Sequence, residues 1–416
     1  MTGHDAPATS AGPGRDGADA APTPDASAAP GHDAPATSDG AAGGAAAVAG
    51  LPGDDQDASD GSAPGGAAAS GATRVLPGDD PASIAAAVAA VRRGEPVAFP
   101  TETVYGLGAD ARDAKAVARV FALKGRPRFD PIIVHLADPA DLPLYADAED
   151  ASDPRVARLA ARFWPGPLTV VLRKRDVIPG IVTAGLETVA IRVPAHPVAL
   201  ALIAAAGAPL AAPSANPFGR VSPTRAEHVA RQLAGRVGIV LDGGPCRVGV
   251  ESTVVLLAGG RATLLRPGGL PAEEIEAVIG PLARFGDDAP EASSLAPGRQ
   301  ASHYAPGAPL TIVEAWPGSG RATEGRGRLT ALPGERLGLL AADDAGRDAA
   351  VADGGPFAAV EILSPSGDPT EAAARLFDAL HRLDAAGLDR IVAEPVRETG
   401  LGVAIMDRLR RAARAG

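Results

Sequence analysis

The spacing of apolar residues over residues 74–285 predicts a mixed α/β domain. Residues 82–93 and the segment DARDAKAVARVFALKG (110–125) carry apolar residues at helical spacing, and a glycine ends each of them. Short apolar runs between turn residues predict buried strands. These runs are PVAFP, PIIVHL, LTVVLRK, TVAIRVP and GIVLDGG, followed by STVVLL and ATLLR, which a tight turn joins as a hairpin. The pattern therefore predicts a twisted mixed sheet covered by helices.

Strand and helix patterns alternate again over residues 309–416. PLTIVEA, LGLLAAD, AVEILS and DRIVAE are strand candidates, and residues 369–383 and 400–413 have helical spacing. This alternation predicts a small Rossmann-like parallel α/β C-terminal domain. Residues 286–308 are rich in Pro, Gly, Ala and Ser, which predicts a linker, and residues 317–335 are expected to form a mobile insertion.

Residues 1–73 differ in composition from the rest of the chain. They contain no aromatic residue, repeat GHDAPATS at 3–10 and 31–38, and carry most of the formal net charge of −11. Such a segment buries too little apolar surface to offset its ordering entropy, so we expect a disordered low-complexity tail. The remainder is close to neutral, and net charge neither favours nor excludes a polyanionic partner.

Composition and motifs exclude several classes of protein. One cysteine, Cys246, rules out an internal disulfide and a cysteine-rich zinc site. The sequence lacks a secretory signal and an apolar run of about 18 residues, so we expect a cytoplasmic protein without a membrane span. It also lacks a P-loop, a strand-borne GxGxxG and an HExxH motif, and we expect no protein-bound metal.

Three cations occur within five residues in LKGRPRFDP, at Lys124, Arg126 and Arg128. A helix end explains part of this cluster, because a cation in the last turn offsets the helix dipole and Gly125 is a natural terminator. However, Lys124 lies four residues after Val120 and continues the inward face of the helix. Together with the two arginines in the following loop, it favours a cradle for phosphate.

The strand TVAIRVP places Arg192 on the same face as Thr188 and Ala190. An arginine that shares a face with Thr and Ala is expected to point into a polar pocket rather than a core. His135 ends the run PIIVH, where a structural role and a ligand role both remain open.

Short polar side chains follow in APSANPFGRVSPT. Ser214 and Asn216 stand two residues apart in a turn and offer several hydrogen-bonding groups. Ser222 and Thr224 precede a helical segment, and the Thr224-to-Glu227 spacing predicts a capping box, which is compatible with an anion site at the same helix end. Ser252 and Arg266, at the ends of the hairpin strands, are weak signals individually.

These segments together resemble the YrdC-like family. The matching blocks, in order, are PTETVYGLGADA (100–111), LKGRPRFDPIIVH (123–135), FWPGPLTVVL (163–172), TVAIRVPAHP (188–197), APSANPFGRVSPT (212–224), GVESTVV (249–255) and LLRPGG (264–269). The segment APGRQASHYAPGAPL and the domain after it are similar to the long, two-domain form of the threonylcarbamoyl-AMP synthases. The resemblance covers about residues 80–416.

The resemblance implies a nucleotidyltransferase reaction. L-Threonine, bicarbonate and ATP, with Mg²⁺ carried by the nucleotide, would give threonylcarbamoyl-AMP and pyrophosphate. A downstream transferase complex would then use the product to modify tRNA next to the anticodon, and any direct binding of tRNA to this chain would be weak.

The resemblance also implies roles for individual residues, with Arg192 holding the carboxylate of threonine and Tyr304 closing over the nucleotide. The implied catalytic residues are Lys124, Arg126, Ser214 and Asn216. The implied L-threonine contacts are Thr103, His135, Arg192, the Ala212 backbone and Ser252. The implied ATP contacts are Arg126, Asp130, Thr188, Ser214, Ser222, Arg266 and Tyr304. Asp130 stands where the family usually has Asn, and a carboxylate there repels triphosphate unless Arg128 or Mg²⁺ offsets it.

Two other functions remain open from the sequence. YrdC-like domains also act on carbamoyl-adenylate as carbamoyltransferases, although the single cysteine and the matched linker disfavour that role. The cationic groove could instead hold RNA backbone without catalysis, but the near-neutral domain and the lack of interleaved aromatic residues disfavour an RNA-binding module.

Overall fold

The computed structural model describes residues 72–284, 303–313, 332–352 and 354–414. The predicted tail lies outside these residues except for its last two positions. Most of the predicted linker and of the predicted insertion also lie outside them.

The N-terminal part of the described chain is a large mixed sheet with helices on its faces. Asp113 caps one of the helices with its side chain, and Gly125 ends that helix at a φ of 62°, a backbone conformation that favours glycine. The strands are β1 Arg74–Pro77, β2 Val97–Phe99, β3 Gly106–Asp110, β4 Val134–His135, β5 Leu168–Arg173, β6 Thr188–Arg192, β7 Leu210–Ala211, β8 Ile239–Asp242, β9 Thr253–Ala258, β10 Arg261–Arg266 and β11 Ala283–Arg284. The helices are α1 Pro81–Arg92, α2 Ala114–Lys124, α3 Ala148–Ala151, α4 Pro154–Phe163, α5 Pro197–Ala206, α6 Ala226–Gln232 and α7 Ala272–Ile279, with a 3₁₀ turn at Pro139–Leu144.

The sheet order is β1-β8-β2-β3-β7-β4-β6-β5-β9-β10-β11. Helices α1 and α5 pack with β2 and β8 in one apolar cluster, while residues of α2, α4 and α7 belong to a larger one. The predicted hairpin is confirmed, because β9 and β10 pair antiparallel on either side of Gly259 and Gly260.

Strand register brings distant residues to one end of this sheet. β5 runs antiparallel to β6 and parallel to β9, and β10 runs antiparallel to β9. The end of β6, the start of β9 and the end of β10 therefore meet, which gathers Arg192, Ser252 and Arg266. Thr188 starts β6 opposite Arg173 and so lies at the far end of the same strand.

The C-terminal part is a second, wholly parallel sheet of order β12-β15-β13-β14, which confirms the Rossmann-like prediction. The sequence predicts two helices here, and the structure has a third, Asp344–Ala352, among the described residues. That helix buries only small side chains, among them Ala349 and Ala350, so its apolar periodicity is weak. The elements are β12 Leu310–Ile312, β13 Leu337–Ala341, β14 Phe357–Ile362, β15 Arg390–Ala393, α8 Asp344–Ala352, α9 Pro369–Ala385 and α10 Leu401–Ala413.

Apolar side chains of α9 and α10 pack against loops of the larger sheet. One buried cluster joins Phe377, Leu380 and Leu409 to Val104 and Val250. The C-terminal helices therefore cover the end of the sheet at which Arg192 and Arg266 meet. Within the described residues, no helix has both the length and the apolar character needed to cross a membrane.

Candidate active site

A cavity opens at the end of the large sheet where β6, β9 and β10 meet. Together with the open space at its mouth it measures about 540 Å³. Nine of the residues implied by the resemblance line it: Thr103, Arg126, His135, Arg192, Ala212, Ser214, Ser252, Arg266 and Tyr304. The other lining residues are Thr101, Val104, Gly106, Ile133, Pro213, Glu251 and His303.

Arg192 is buried against the loop that joins β2 to β3. Its Nη1 donates to the hydroxyl of Thr103 at 2.9 Å, its Nε donates to the carbonyl of Gly166 at 3.1 Å, and its Nη2 lies 2.7 Å from Oε1 of Glu102. Glu102 also accepts from the backbone N–H of Ala195 at 3.0 Å. The prediction that Arg192 points into a polar pocket is confirmed, and Glu102 is a partner that the sequence reasoning did not identify.

Ser252 and Arg266 form an adjoining wall. Arg266 donates through Nη2 to the carbonyl of Ser252 at 2.8 Å, and the hydroxyl of Ser252 lies 2.7 Å from that of Thr169. Gly268 allows this close approach, because an added Cβ would overlap the backbone of Glu251 and Ser252. The Pro-Gly-Gly turn after β10 therefore fixes the arginine beside the serine.

Arg126 also lines the cavity and is paired with Asp130. Nη2 of Arg126 is 2.9 Å from Oδ2 of Asp130, and both side chains are buried. The same guanidinium donates to the carbonyl of Pro131 at 2.7 Å. The sequence interpretation named Arg128 or Mg²⁺ as the charge that offsets Asp130, and for Arg128 it is wrong: Arg128 is exposed and Arg126 provides the offset.

Lys124 lies behind the cavity wall and does not line the cavity. It is buried, as its place on the inward face of α2 predicts, and Nζ donates to the carbonyls of Ser214, at 2.6 Å, and Asn216. Burial lowers the pKa of Lys124 well below its ordinary value, and the nearby Arg126 lowers it further. Lys124 therefore holds the turn that carries Ser214, and Arg126 is the member of the predicted phosphate cradle that lines the cavity.

Asn216 and Ser222 are also outside the cavity. The side chain of Asn216 donates to the carbonyl of Arg220 at 2.8 Å and closes the loop from 216 to 220. Ser222 donates to Oε1 of Glu251 at 2.6 Å. The predicted capping box at Thr224 is wrong, because α6 begins after Arg225 and has no side-chain cap.

Glu251 is a charged cavity residue to which the sequence reasoning assigned no role, although it stands in the block GVESTVV. Its two oxygens contact different domains: Oε1 accepts from Ser222 at 2.6 Å, and Oε2 lies 3.0 Å from Nε of Arg408 in α10. Its adjacency to Ser252 was the available signal. Thr188, at the far end of β6, is not among the lining residues, and its contact with ATP stays a prediction.

His135 and His303 bring uncharged rings to the cavity. Burial and the neighbouring Arg192 lower the pKa of His135 to about 3. Burial, with Arg126 and Lys124 nearby, lowers the pKa of His303 well below its ordinary value. Nδ1 of each ring is buried without a hydrogen-bond partner in the described part of the chain. Each ring can therefore offer a neutral acceptor or donor to a ligand.

Acid is expected to destabilise the fold through buried histidines. Burial and the nearby His228 lower the pKa of His381 to about 3, similar to that of His135. Between the ordinary pKa near 6.5 and about 3, the unfolded chain binds protons that the folded chain does not. The free energy of unfolding should thus fall as pH falls, by up to about 1.4 kcal/mol per pH unit for each histidine. Thermal melts from pH 7 to pH 5 test this, and His381→Gln should flatten the slope; an unchanged slope would contradict the assignment.

Asp130→Asn is expected to tighten ATP binding while weakening the fold. The carboxylate sits beside the predicted phosphate site, so its removal should lower the Kd for ATP by about tenfold. The same change leaves Arg126 without its buried counter-charge, which should lower the free energy of unfolding by about 2 kcal/mol. Calorimetric titration with ATP and denaturant unfolding measure the two effects. Weaker ATP binding in this variant would show that Asp130 helps to hold the nucleotide.

Comparison with known proteins shows which families this sequence matches. A family model described as "Telomere recombination" matches residues 89–268, and one described as "Threonylcarbamoyl-AMP synthase, C-terminal domain" matches residues 270–414. The chain is 45% identical to the threonylcarbamoyl-AMP synthase of Pyrococcus abyssi over 328 residues, covering 77% of this chain and 91% of that protein. It is 46% identical to the Bacillus subtilis threonylcarbamoyl-AMP synthase, covering 82% of this chain and 95% of that protein.

Solved structures give a similar result. The crystal structure of P. abyssi Sua5 in complex with L-threonine superposes with a TM-score of 0.68 at 42% identity, covering 79% of this chain and 94% of that chain. A variant of the same protein, with an adjacent histidine and tyrosine replaced by alanine, superposes with a TM-score of 0.69 at 39% identity, covering 82% of this chain and 96% of that chain. The similarity therefore spans both sheets.

Proposed function

Because the chain belongs to the threonylcarbamoyl-AMP synthase family, we propose that it converts L-threonine, bicarbonate and ATP into L-threonylcarbamoyl-AMP and pyrophosphate. One observation supports this most directly: Arg126, Arg192 and Arg266 come from separate elements and line one cavity. Three guanidinium groups around a small cavity suit substrates that carry a carboxylate and phosphates.

The cavity divides into two regions that match the two substrates. Thr103, His135 and Arg192 lie together on one side, where a carboxylate would meet the guanidinium and a small hydroxylated side chain would meet the hydroxyl. L-Threonine, which the P. abyssi structure contains, fits that chemistry. Arg126 and Arg266, with Tyr304 between the domains, form the side that suits the nucleotide. We propose that the residue roles implied by the resemblance apply to these two regions.

The reaction needs no protein nucleophile. The amine of threonine and bicarbonate form a carbamate with loss of water, and an oxygen of that carbamate attacks the α-phosphorus of ATP. The bond from that phosphorus to the bridging oxygen breaks, and its electron pair leaves with pyrophosphate. The work of the protein is to align the two anions and to neutralise charge, as in other transfers at phosphorus. On this basis we propose that the enzyme acts as a nucleotidyltransferase.

Mg²⁺ enters this proposal as part of the nucleotide substrate. In the described ranges, no group of three or more His, Cys, Asp and Glu side chains could hold a metal ion. The carboxylates nearest the cavity, Glu102, Asp130 and Glu251, each face an arginine already. A metal ion bound to the triphosphate would lower the charge that Arg126 and Arg266 must meet.

The product would be passed on to a transferase that modifies tRNA next to the anticodon. Threonylcarbamoyl-AMP is a mixed anhydride, and a reactive acyl donor of this kind must be consumed by a group-transfer enzyme. We propose that this downstream complex, and not the present chain, makes the main contacts with tRNA.

Pyrophosphate release that depends on threonine tests the proposal. The full chain is incubated with ATP, Mg²⁺ and bicarbonate, with or without L-threonine, and the mixed anhydride is detected by mass spectrometry. We expect pyrophosphate and anhydride in equal amounts only when threonine is present. Release with carbamoyl phosphate instead would identify a carbamoyltransferase. Tight, salt-dependent tRNA binding without turnover would identify an RNA-binding module.

A further inference from the structure

Helix α10 places a fully buried arginine behind the cavity. Arg408 is 0% exposed; its Nε lies 3.0 Å from Oε2 of Glu251, and its Nη1 donates to the carbonyl of Pro267 at 2.8 Å. Glu251 lines the cavity, and Pro267 directly follows the cavity residue Arg266. One side chain of the C-terminal domain therefore supports two walls of a site built on the other domain.

The same guanidinium also supports Tyr304. Its central carbon is 5.3 Å from the centre of the Tyr304 ring, within the range of a cation–π contact. Phe377 of α9 stacks on Tyr304 at 5.6 Å and 29°. Tyr304 has a φ of 66°, which a non-glycine residue keeps only when its surroundings fix it. Arg408 and Phe377 supply such surroundings, so the C-terminal domain sets the position of this cavity residue.

The charge of Arg408 affects an anionic ligand through Glu251, the carboxylate in the cavity wall with which Arg408 is paired. A carboxylate in the wall of a phosphate site repels the ligand unless a cation offsets it, and the effect is strong where water is excluded. Ser222 donates to one oxygen of Glu251, and Arg408 faces the other. Without Arg408, Glu251 would lose the cation with which it is directly paired, at a position beside the proposed nucleotide site.

We infer that Arg408 is a positioning residue for ATP, which acts by neutralising Glu251 and by fixing the ring of Tyr304. This inference rests on the proposed function for the identity of the ligand. It assigns the C-terminal domain a direct part in the chemistry of the site, because the domain supplies the cation that makes the rear wall compatible with phosphate.

The test compares Arg408→Met with the double variant Arg408→Met/Glu251→Gln in the full chain. Methionine keeps much of the apolar length of the side chain and removes its charge, so we expect the KM and the Kd for ATP to rise by about 100-fold. Removing the carboxylate in the same chain should restore ATP affinity by at least about tenfold, because the repulsion is gone. The KM for threonine should change by less than about threefold, since its region is built on Arg192.

Arg411→Met is the matched control. Arg411 is also buried in α10 and stands one turn from Arg408; both guanidinium groups contact the carboxylate of Asp407, whereas Arg408 also lies against Glu251. Its removal should lower the melting temperature about as much as Arg408→Met does, yet leave the KM for ATP within about threefold of wild type. If Arg408→Met does not fold, Arg408→Lys takes its place. Lysine keeps the charge without the planar fork, so its Kd for ATP should rise by less than the roughly 100-fold expected for methionine.

The outcomes separate this inference from the proposed function. If the wild-type chain forms no threonylcarbamoyl-AMP, only the proposed function is refuted. Calorimetric titration with ATP alone still reports on Arg408 in that case. Equal effects of Arg408→Met and Arg411→Met on ATP binding would overturn the inference. So would a double variant that binds ATP no better than Arg408→Met, because Arg408 would then be only a structural link between the domains.

Discussion

Methionine in place of Arg126 is expected to lower kcat/KM for ATP by about 10³-fold while the chain stays folded. Arg126 lines the cavity and lies 2.9 Å from the buried carboxylate of Asp130. Its loss removes a cation from the predicted phosphate site and takes from Asp130 the counter-charge of this buried ion pair. A single donor to a developing charge contributes about 10²–10³ in rate. Repulsion between the carboxylate of Asp130 and the phosphates adds to this loss. Initial rates of pyrophosphate release over a series of ATP concentrations measure the effect.

Two companion variants make this result interpretable. Arg128→Met removes an exposed cation two residues away and should stay within about twofold of wild type. Arg126→Met/Asp130→Asn should recover part of the loss, because the unpaired anion is removed together with the cation. If Arg128→Met lost as much activity as Arg126→Met, the effect would come from the positive electrostatic potential of the whole loop and not from a contact of Arg126 in the cavity.

Lys124→Met is expected to lower both stability and activity, whereas the main effect of Arg126→Met is on activity. Nζ of Lys124 donates to the carbonyls of Ser214, at 2.6 Å, and Asn216. Methionine leaves both buried carbonyls without this donor, at a cost of about 1–3 kcal/mol each, so the free energy of unfolding should fall by about 2–6 kcal/mol. The turn that carries Ser214 would then relax, and kcat/KM should fall by about 10²-fold, because small displacements at a site are costly. Denaturant unfolding and steady-state kinetics measure the two quantities.

Lys115→Met provides the control for this prediction. Lys115 is an exposed residue in the first turn of the same helix, and its replacement should change stability by less than about 0.5 kcal/mol. A Lys124→Met chain that is as stable as wild type but inactive would show that the amine acts on the substrate directly. That outcome would restore the interpretation of Lys124 as part of the phosphate cradle.

The contrast between these two cations shows what the sequence could and could not predict. Helical spacing correctly indicated that Lys124 faces inward, but the carbonyls that its amine contacts lie about 90 residues further along the chain. Alternation along β6 correctly placed Arg192 in a polar pocket. Thr188 shares that face but starts the strand four residues, or about 13 Å, before Arg192, so a shared face alone did not place it at the same cavity.

The partners that the sequence reasoning missed share a physical cause. Glu102, Glu251 and Arg408 are charged residues whose burial is possible only because each faces an opposite charge across a domain or a loop. In MDRLRRAARAG (406–416), Arg408 looks like one of several solvated arginines near the end of a helix. Helix α8 was missed for a different reason. Its buried face consists of small residues, which give little periodic signal in the sequence.

The ion pair between Arg408 and Glu251 joins residues 157 positions apart. During synthesis, the larger sheet is made well before the helix that supplies the arginine, so a growing chain holds Glu251 without its cation. Proteolytic loss of α10 would recreate that state in a mature molecule, with every residue of the cavity wall still present. It follows from the inference on Arg408 that the proposed nucleotide site would bind ATP fully only in a chain that is intact through α10.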